Sequence, residues 1–216
     1  LLVANIKALL FDLDGVIVST EKNHFIAWRE TARTLGISFS EEDNEALKGV
    51  NRVDSLKQIL KLGNKNVNSE AFESLLVFKN NIYLDSISTL SEANLLPGVD
   101  ALLRKAQSMG VKIGLGSSSK NAPMILERLG IKSFFDVIID GNGVTHPKPH
   151  PEVFLNGAKA LGFHPSECLV FEDALSGVTA AKEGGFLSIG VGNPLLQHVA
   201  DVYLNNLTEF RLEAYA

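Results

Sequence analysis

An α/β fold, with a Rossmann-like parallel-sheet core and a helical domain inserted after its first strand, is predicted by three features of the sequence. Six short β-rich runs alternate, from Gly98 onward, mostly with helical patterns. The first run is parted from the second by about a hundred residues that carry no comparable strand. Two of the runs end in closely spaced acidic residues.

The first run is Ile6 to Phe11, apolar but for Lys7, a pattern of the kind that forms a buried strand. In the long interval that follows, Phe25, Trp28, Ala32 and Leu35 repeat at helical spacing, and Ser40-Glu41-Glu42-Asp43 and Asn68-Ser69-Glu70 read as helix starts. The later runs are Val111 to Leu115, Val137 to Ile139, Leu169 to Phe171, Leu187 to Val191 and Val202 to Leu204. The first strand therefore belongs to a core whose other strands come much later. Residues 1–18 and 91–216 are expected to form that core, and residues 19–90 a helical cap over the carboxyl end of the sheet, where open α/β sheets bind ligands.

Bulk properties narrow the function. The chain has 216 residues, 45% of them hydrophobic, enough for a full core. Its net charge of −5 offers no general attraction for nucleic acid or an anionic membrane, so an anionic substrate needs a local cationic pocket. No apolar stretch approaches the roughly 20 residues that span a bilayer, and no signal-peptide pattern is read. The single cysteine, Cys168, can form no intrachain disulfide, which fits a cytoplasmic location.

Four segments carry candidate chemistry. The first strand ends in Asp12-Leu13-Asp14-Gly15-Val16. At a period of two, Asp12 and Asp14 project to one side, and Gly15 lets the chain turn away. One carboxylate can attack phosphorus while the other protonates a leaving oxygen and later deprotonates an incoming one. Leu169-Val170-Phe171 ends in Glu172-Asp173, oxygen ligands suited with Asp12 to one Mg²⁺; Asp173 also suits the N-cap of a helix running from Ala174 to about Glu183. Gly116-Ser117-Ser118-Ser119-Lys120-Asn121 supplies hydroxyls, backbone N–H groups and a lysine at the start of a helix expected to reach Leu129, a pattern suited to an anion. The same stretch misses a dinucleotide fingerprint because Ser119 stands where its third glycine belongs. Lys148, between Pro147 and Pro149, is a cation on a restrained backbone, suited to neutralising a phosphoryl group.

In this order and spacing the four segments resemble the haloacid dehalogenase superfamily over essentially the whole chain. The resemblance implies that Asp12 is the nucleophile, that Ser117 and Lys148 hold the transferring phosphoryl group, and that Asp12, Glu172, Asp173 and the main-chain carbonyl of Asp14 bind Mg²⁺. An aspartate at position 14 matches the phosphatase and mutase branches.

A closer likeness, extending into the cap, is to the β-phosphoglucomutase branch. It lies in Thr20, His24-Phe25-x-Ala27-Trp28, Leu47-Lys48-Gly49-Val50-x-Arg52-x-Asp54-Ser55-Leu56, Lys79-Asn80 and Ser117-x-Ser119-Lys120-Asn121. Thr20, His24 and Trp28 share one helical stripe. By this resemblance Thr20 is a hinge, His24 couples substrate binding to the general acid, and Trp28, Lys48, Gly49, Arg52, Ser55 and Lys79 belong to the substrate site with Ser118. Arg52, Ser119, Lys120 and Asn121 would hold the non-reacting phosphate. The activity implied is interconversion of β-glucose 1-phosphate and β-glucose 6-phosphate by a monomer, with β-glucose 1,6-bisphosphate as intermediate and activator. A phosphatase on the same scaffold and a non-catalytic phospho-aspartate switch are the alternatives. The sequence departs from the family pattern at Ser19, His146-Pro147 and Ala174, none of which removes a catalytic group.

Overall fold

The computed structural model describes residues 5–216; the first four residues of the expected core segment lie outside the described part. In chain order the elements are β1 (Ala8–Phe11), helices α1 (Glu21–Thr34), α2 (Glu41–Glu45), α3 (Arg52–Leu62), α4 (Ser69–Ser86) and α5 (Val99–Ser108), β2 (Lys112–Gly116), α6 (Ala122–Arg128), β3 (Val137–Ile139), α7 (Glu152–Leu161), β4 (Cys168–Glu172), α8 (Leu175–Glu183), β5 (Leu187–Val191) and β6 (Val202–Leu204). The chain divides into two compact units. One runs through Ser19 and resumes at Leu90; the other is Thr20–Thr89.

The first unit holds a six-stranded sheet of order β3-β2-β1-β4-β5-β6 in which every pair is parallel. All four residues of β1 and all five of β4 are buried, as expected of central strands covered on both faces. Helix α7 packs on β1, β2 and β3, α8 on β4 and β5, and α5 on β2. Phe154 and Phe186 meet edge to face in the layer beneath, in a core shared with Leu10 and Val170. From β1 the chain crosses to β2 and β3 on one side, then returns to β4 on the other. The strand order therefore reverses between β1 and β4, which is where ligands bind in open α/β sheets.

The helical unit is α1 to α4, with Trp28, Ala32, Phe39, Leu56, Ile59 and Leu76 in its core. Its helix starts are chemically defined. Ser40 and Asp43 form a reciprocal capping box on α2, and Asn68 accepts from the Ala71 N–H at the head of α4. Asn51 caps α3 in the same way, through the Asp54 N–H. Among the described residues, no helix is long and apolar enough to cross a membrane.

Candidate active site

Strands β1 and β4 run in register, Phe11 beside Phe171, so the residues that follow come out side by side. The Asp12 N–H donates to the Phe171 carbonyl at 2.9 Å, extending the ladder by one bond past the end of β1. Asp12 and Glu172 are both buried, and so is Lys148, which arrives from the loop before α7. The Lys148 ammonium donates to Asp12 Oδ1 at 2.6 Å and to Glu172 Oε1 at 2.5 Å. Its alkyl stem is only 5% exposed with the rest of the residue, and the face of Phe154 lies 4.7 Å from its charge.

Burial pushes the Asp12 carboxyl up to about 7; Lys148 pulls against that rise, while the charges of Glu172 and Asp14 add to it. Burial also works against the Lys148 ammonium, but the charges and hydrogen bonds of Asp12 and Glu172 outweigh it and hold the amine above its ordinary range. Oxygens of Asp12, Glu172 and Asp173 lie within 4.8 Å of one another. Three carboxylates thus converge, two of them on one ammonium, and an all-oxygen donor set of this kind fits a hard divalent cation. Glu172 is held at both oxygens: Oε1 accepts from Lys148 and Oε2 accepts from the Ala174 N–H at 3.0 Å.

Two glycines make this packing feasible, and the reading of the sequence recognised only one of them, for a different reason. Gly15 turns the chain at φ +83°, and a Cβ there would run into the Asp173 carboxylate. Gly177, on the first turns of α8, has the Glu172 carboxylate lying where a Cβ would be. Asp173 is not the N-cap of α8. Ala174 holds that position with no side-chain cap, while the Glu172 side chain serves the Ala174 N–H and the Asp173 carbonyl accepts from Asn193 Nδ2 at 2.9 Å.

Ser117 follows β2, itself next to β1, and is buried at the same end of the sheet. Its Oγ accepts from the Ser119 N–H at 3.1 Å, and Ser119 Oγ accepts from the Asn121 N–H at 3.2 Å, so the serines fold the loop onto itself. Ser118 and Asn121 are partly exposed and Lys120 is exposed. The helix that follows is shorter than expected, seven residues ending at Arg128, and it starts at Ala122 without a side-chain cap from Asn121.

Within the helical unit, the stripe on α1 meets α4. Thr20 Oγ1 and Tyr83 Oη are 3.1 Å apart, both fully buried. His24 stacks on Tyr83 with ring centroids 4.2 Å apart, and the Lys79 amine lies 2.8 Å from His24 Nδ1. Lys79 is itself buried, its charge 4.7 Å from the ring centres of both Trp28 and Tyr83. With an ammonium as donor, His24 Nδ1 accepts and the ring proton sits on Nε2. Tyr83 is the member of this cluster that the sequence reading missed; its spacing of four from Lys79 on one helix was the available signal.

The remaining cap residues separate. Arg52 opens α3 partly buried, and that burial lowers its pKa, with Tyr83 acting weakly the other way. Gly49 sits at φ +74°, in the left-handed region that favours glycine. Lys48 pairs with Glu45 at 2.8 Å and Glu21 at 3.1 Å, so it would have to leave two carboxylates to hold a phosphate. Ser55 is buried beside Leu56 in the helical core.

Comparison with known proteins extends this picture along the chain. The family model for haloacid dehalogenase-like hydrolases matches residues 6–185. The β-phosphoglucomutase of Bacillus subtilis (strain 168) is 41% identical over 210 residues, covering 96% of this chain and 92% of the relative. A fructose-1-phosphate phosphatase of Escherichia coli (strain K12) is 32% identical over 191 residues, covering 85% and 95%. Among solved structures, the crystal structure of a β-phosphoglucomutase from Clostridium difficile matches with a TM-score of 0.94 at 39% identity, covering 97% of each chain.

Proposed function

We propose that this chain, which belongs to the haloacid dehalogenase-like hydrolase family, is a magnesium-dependent β-phosphoglucomutase. It interconverts β-glucose 1-phosphate and β-glucose 6-phosphate through an aspartyl phosphate on Asp12 and β-glucose 1,6-bisphosphate. The observation that carries the phosphoryl chemistry is the buried Lys148 ammonium bridging Asp12 and Glu172 across the β1–β4 switch point. The choice of a mutase is supported by a likeness at 41% identity that spans 96% of the chain, helical unit included.

In the proposed cycle, an Asp12 oxygen attacks phosphorus in line and the bond to the leaving sugar oxygen breaks as Asp14 gives that oxygen a proton. Asp14, now ionised, takes the proton from the receiving hydroxyl as its oxygen attacks the aspartyl phosphate. The acyl–phosphate bond breaks and Asp12 is regenerated. β-Glucose 1-phosphate accepts at its 6-hydroxyl to give the bisphosphate, which then returns its 1-phosphoryl group to Asp12 and leaves as β-glucose 6-phosphate. Lys148 and the Ser117 hydroxyl offset the charge of the phosphoryl oxygens throughout. Asp12, Glu172, Asp173 and the main-chain carbonyl of Asp14 would hold Mg²⁺, which would supply further positive charge there. The second phosphate of the bisphosphate needs a cation of its own, and Arg52, with its planar fork of donors, is assigned to it. His24, oriented through Nδ1 by Lys79, presents an Nε2–H for substrate.

A phosphatase differs only in accepting water at the second step, and the likeness to a fructose-1-phosphate phosphatase keeps that reading in play. One assay separates them. β-Glucose 1-phosphate is supplied with Mg²⁺ and a trace of β-glucose 1,6-bisphosphate, and glucose 6-phosphate and free phosphate are followed together. Glucose 6-phosphate without matching phosphate is the expected result. Free phosphate alone overturns the mutase.

A further inference from the structure

A second convergence of ligand groups lies on the loop that leads into α7, outside the acidic cluster. His146, His150 and Glu152 each place one ligand atom within 4.8 Å of the others. The two imidazole rings have centroids 4.8 Å apart at 37°, and His146 Nδ1 lies 2.7 Å from Glu152 Oε2.

The carboxylate is fixed in place. Glu152 Oε1 accepts from the Thr145 N–H at 2.7 Å and Oε2 from the His146 N–H at 2.9 Å, so its orientation is set by backbone rather than by a mobile partner. Pro147, Pro149 and Pro151 alternate with Lys148 and His150 and restrict the chain between the ligands. His150 Nδ1 accepts a longer bond, 3.2 Å, from the Glu152 N–H, and this is all that a tautomer change would give up. The His146 side chain is 64% exposed and that of Glu152 20%, so a hydrated ion can reach them. The reaction proposed above uses none of the three.

Two imidazoles and one carboxylate form the three-ligand set of open zinc sites, with water left to complete the coordination. Imidazole nitrogen favours zinc, nickel and copper, whereas magnesium prefers oxygen alone. We infer that His146, His150 and Glu152 bind one transition-series divalent cation, on the same loop that delivers Lys148 to the active site.

The test is titration of the whole chain with Zn²⁺ by calorimetry, with Mg²⁺ kept saturating so that the acidic cluster is occupied. One equivalent should bind. His150→Gln should weaken it by at least the ~10- to 100-fold that loss of even an outer-sphere partner costs. The double variant His146→Gln, His150→Gln should abolish it, and Asp173→Asn should leave it unchanged. Cu²⁺ in the unaltered chain should give an electron paramagnetic resonance spectrum with splitting from imidazole nitrogens. The inference fails if Zn²⁺ does not bind, if the histidine variants bind as tightly as the parent, if Asp173→Asn removes binding, or if the copper spectrum shows oxygen ligands alone.

Discussion

The Lys148 ammonium donates to the Asp12 carboxylate at 2.6 Å across 136 residues of sequence, and both groups are buried. Neither charge would be tolerated there alone, because removing one partner of a buried pair strands the other away from water. Lys148→Met leaves Asp12 and Glu172 facing each other with no cation between them. In chelator, urea unfolding should show a loss of about 3–5 kcal/mol. Turnover with Mg²⁺ should fall by roughly 10²–10³-fold, the scale for removing one preorganised charge donor. A variant as stable as the parent would show that the pair is not held as described.

Gly177 has a second consequence for the same cluster, since the Glu172 carboxylate occupies the space of its missing Cβ. Alanine is the better helix former. Gly177→Ala should nevertheless destabilise by about 1–3 kcal/mol, as overpacking does, and should lower kcat by moving Glu172 off Lys148. Thermal unfolding and a kcat measurement on the one variant check both. An increase in Tm, the result helix propensity alone predicts, would contradict the packing argument.

Legibility in the sequence followed how local each cause was. The strands were readable because buried parallel strands are unbroken apolar runs, and Ser40 and Asn68 because a cap acts within three residues. Asp12, Lys148 and Glu172 were singled out by motif, but their mutual contacts belong to the tertiary fold, which sets β1 beside β4 and brings the loop before α7 to their ends. The N-cap role read for Asp173 failed for a nonlocal reason. Its carboxylate lies against Gly15, more than 150 residues earlier, while Glu172 serves the Ala174 N–H instead. The contacts of Tyr83 with Thr20 and His24 and the Lys48–Glu21 pair were missed on the same grounds, since each joins segments far apart in the sequence.

Among the cap residues, Arg52 and Lys48 lead to opposite expectations. Arg52 loses some solvation by burial and has no carboxylate among the causes acting on it, whereas Lys48 is tied to Glu45 and Glu21. Arg52→Ala should therefore cut sugar-phosphate isomerisation by roughly 10²-fold, as misplacement of a bound substrate does, and leave hydrolysis of a small aryl phosphate within a few-fold. Lys48→Ala should change isomerisation far less. Parallel kcat/KM values for the two substrates decide the point; equal losses on both substrates with Arg52→Ala would remove it from phosphate binding.

Cys168 yields a prediction that depends on the sheet alone. It opens β4 fully buried, its Sγ 3.5 Å from the His164 carbonyl, and burial, with Glu167 adding, pushes the thiol up to about 12. The thiolate is the reactive form, so the native thiol should resist Ellman's reagent at pH 8 and react at once in guanidinium. The linkage has a definite sign. An unfolded thiol loses its proton near its ordinary value of 9.0, while the folded one keeps it to about 12. The folded state binds the extra proton across that interval, so this contribution to stability is complete below pH 9 and declines as pH rises toward 12. Urea midpoints measured at pH 8, 9 and 10 should fall more steeply for the parent than for Cys168→Ala, and the two slopes should coincide below pH 8. Equal slopes across the whole range would mean that the thiol titrates alike in both states.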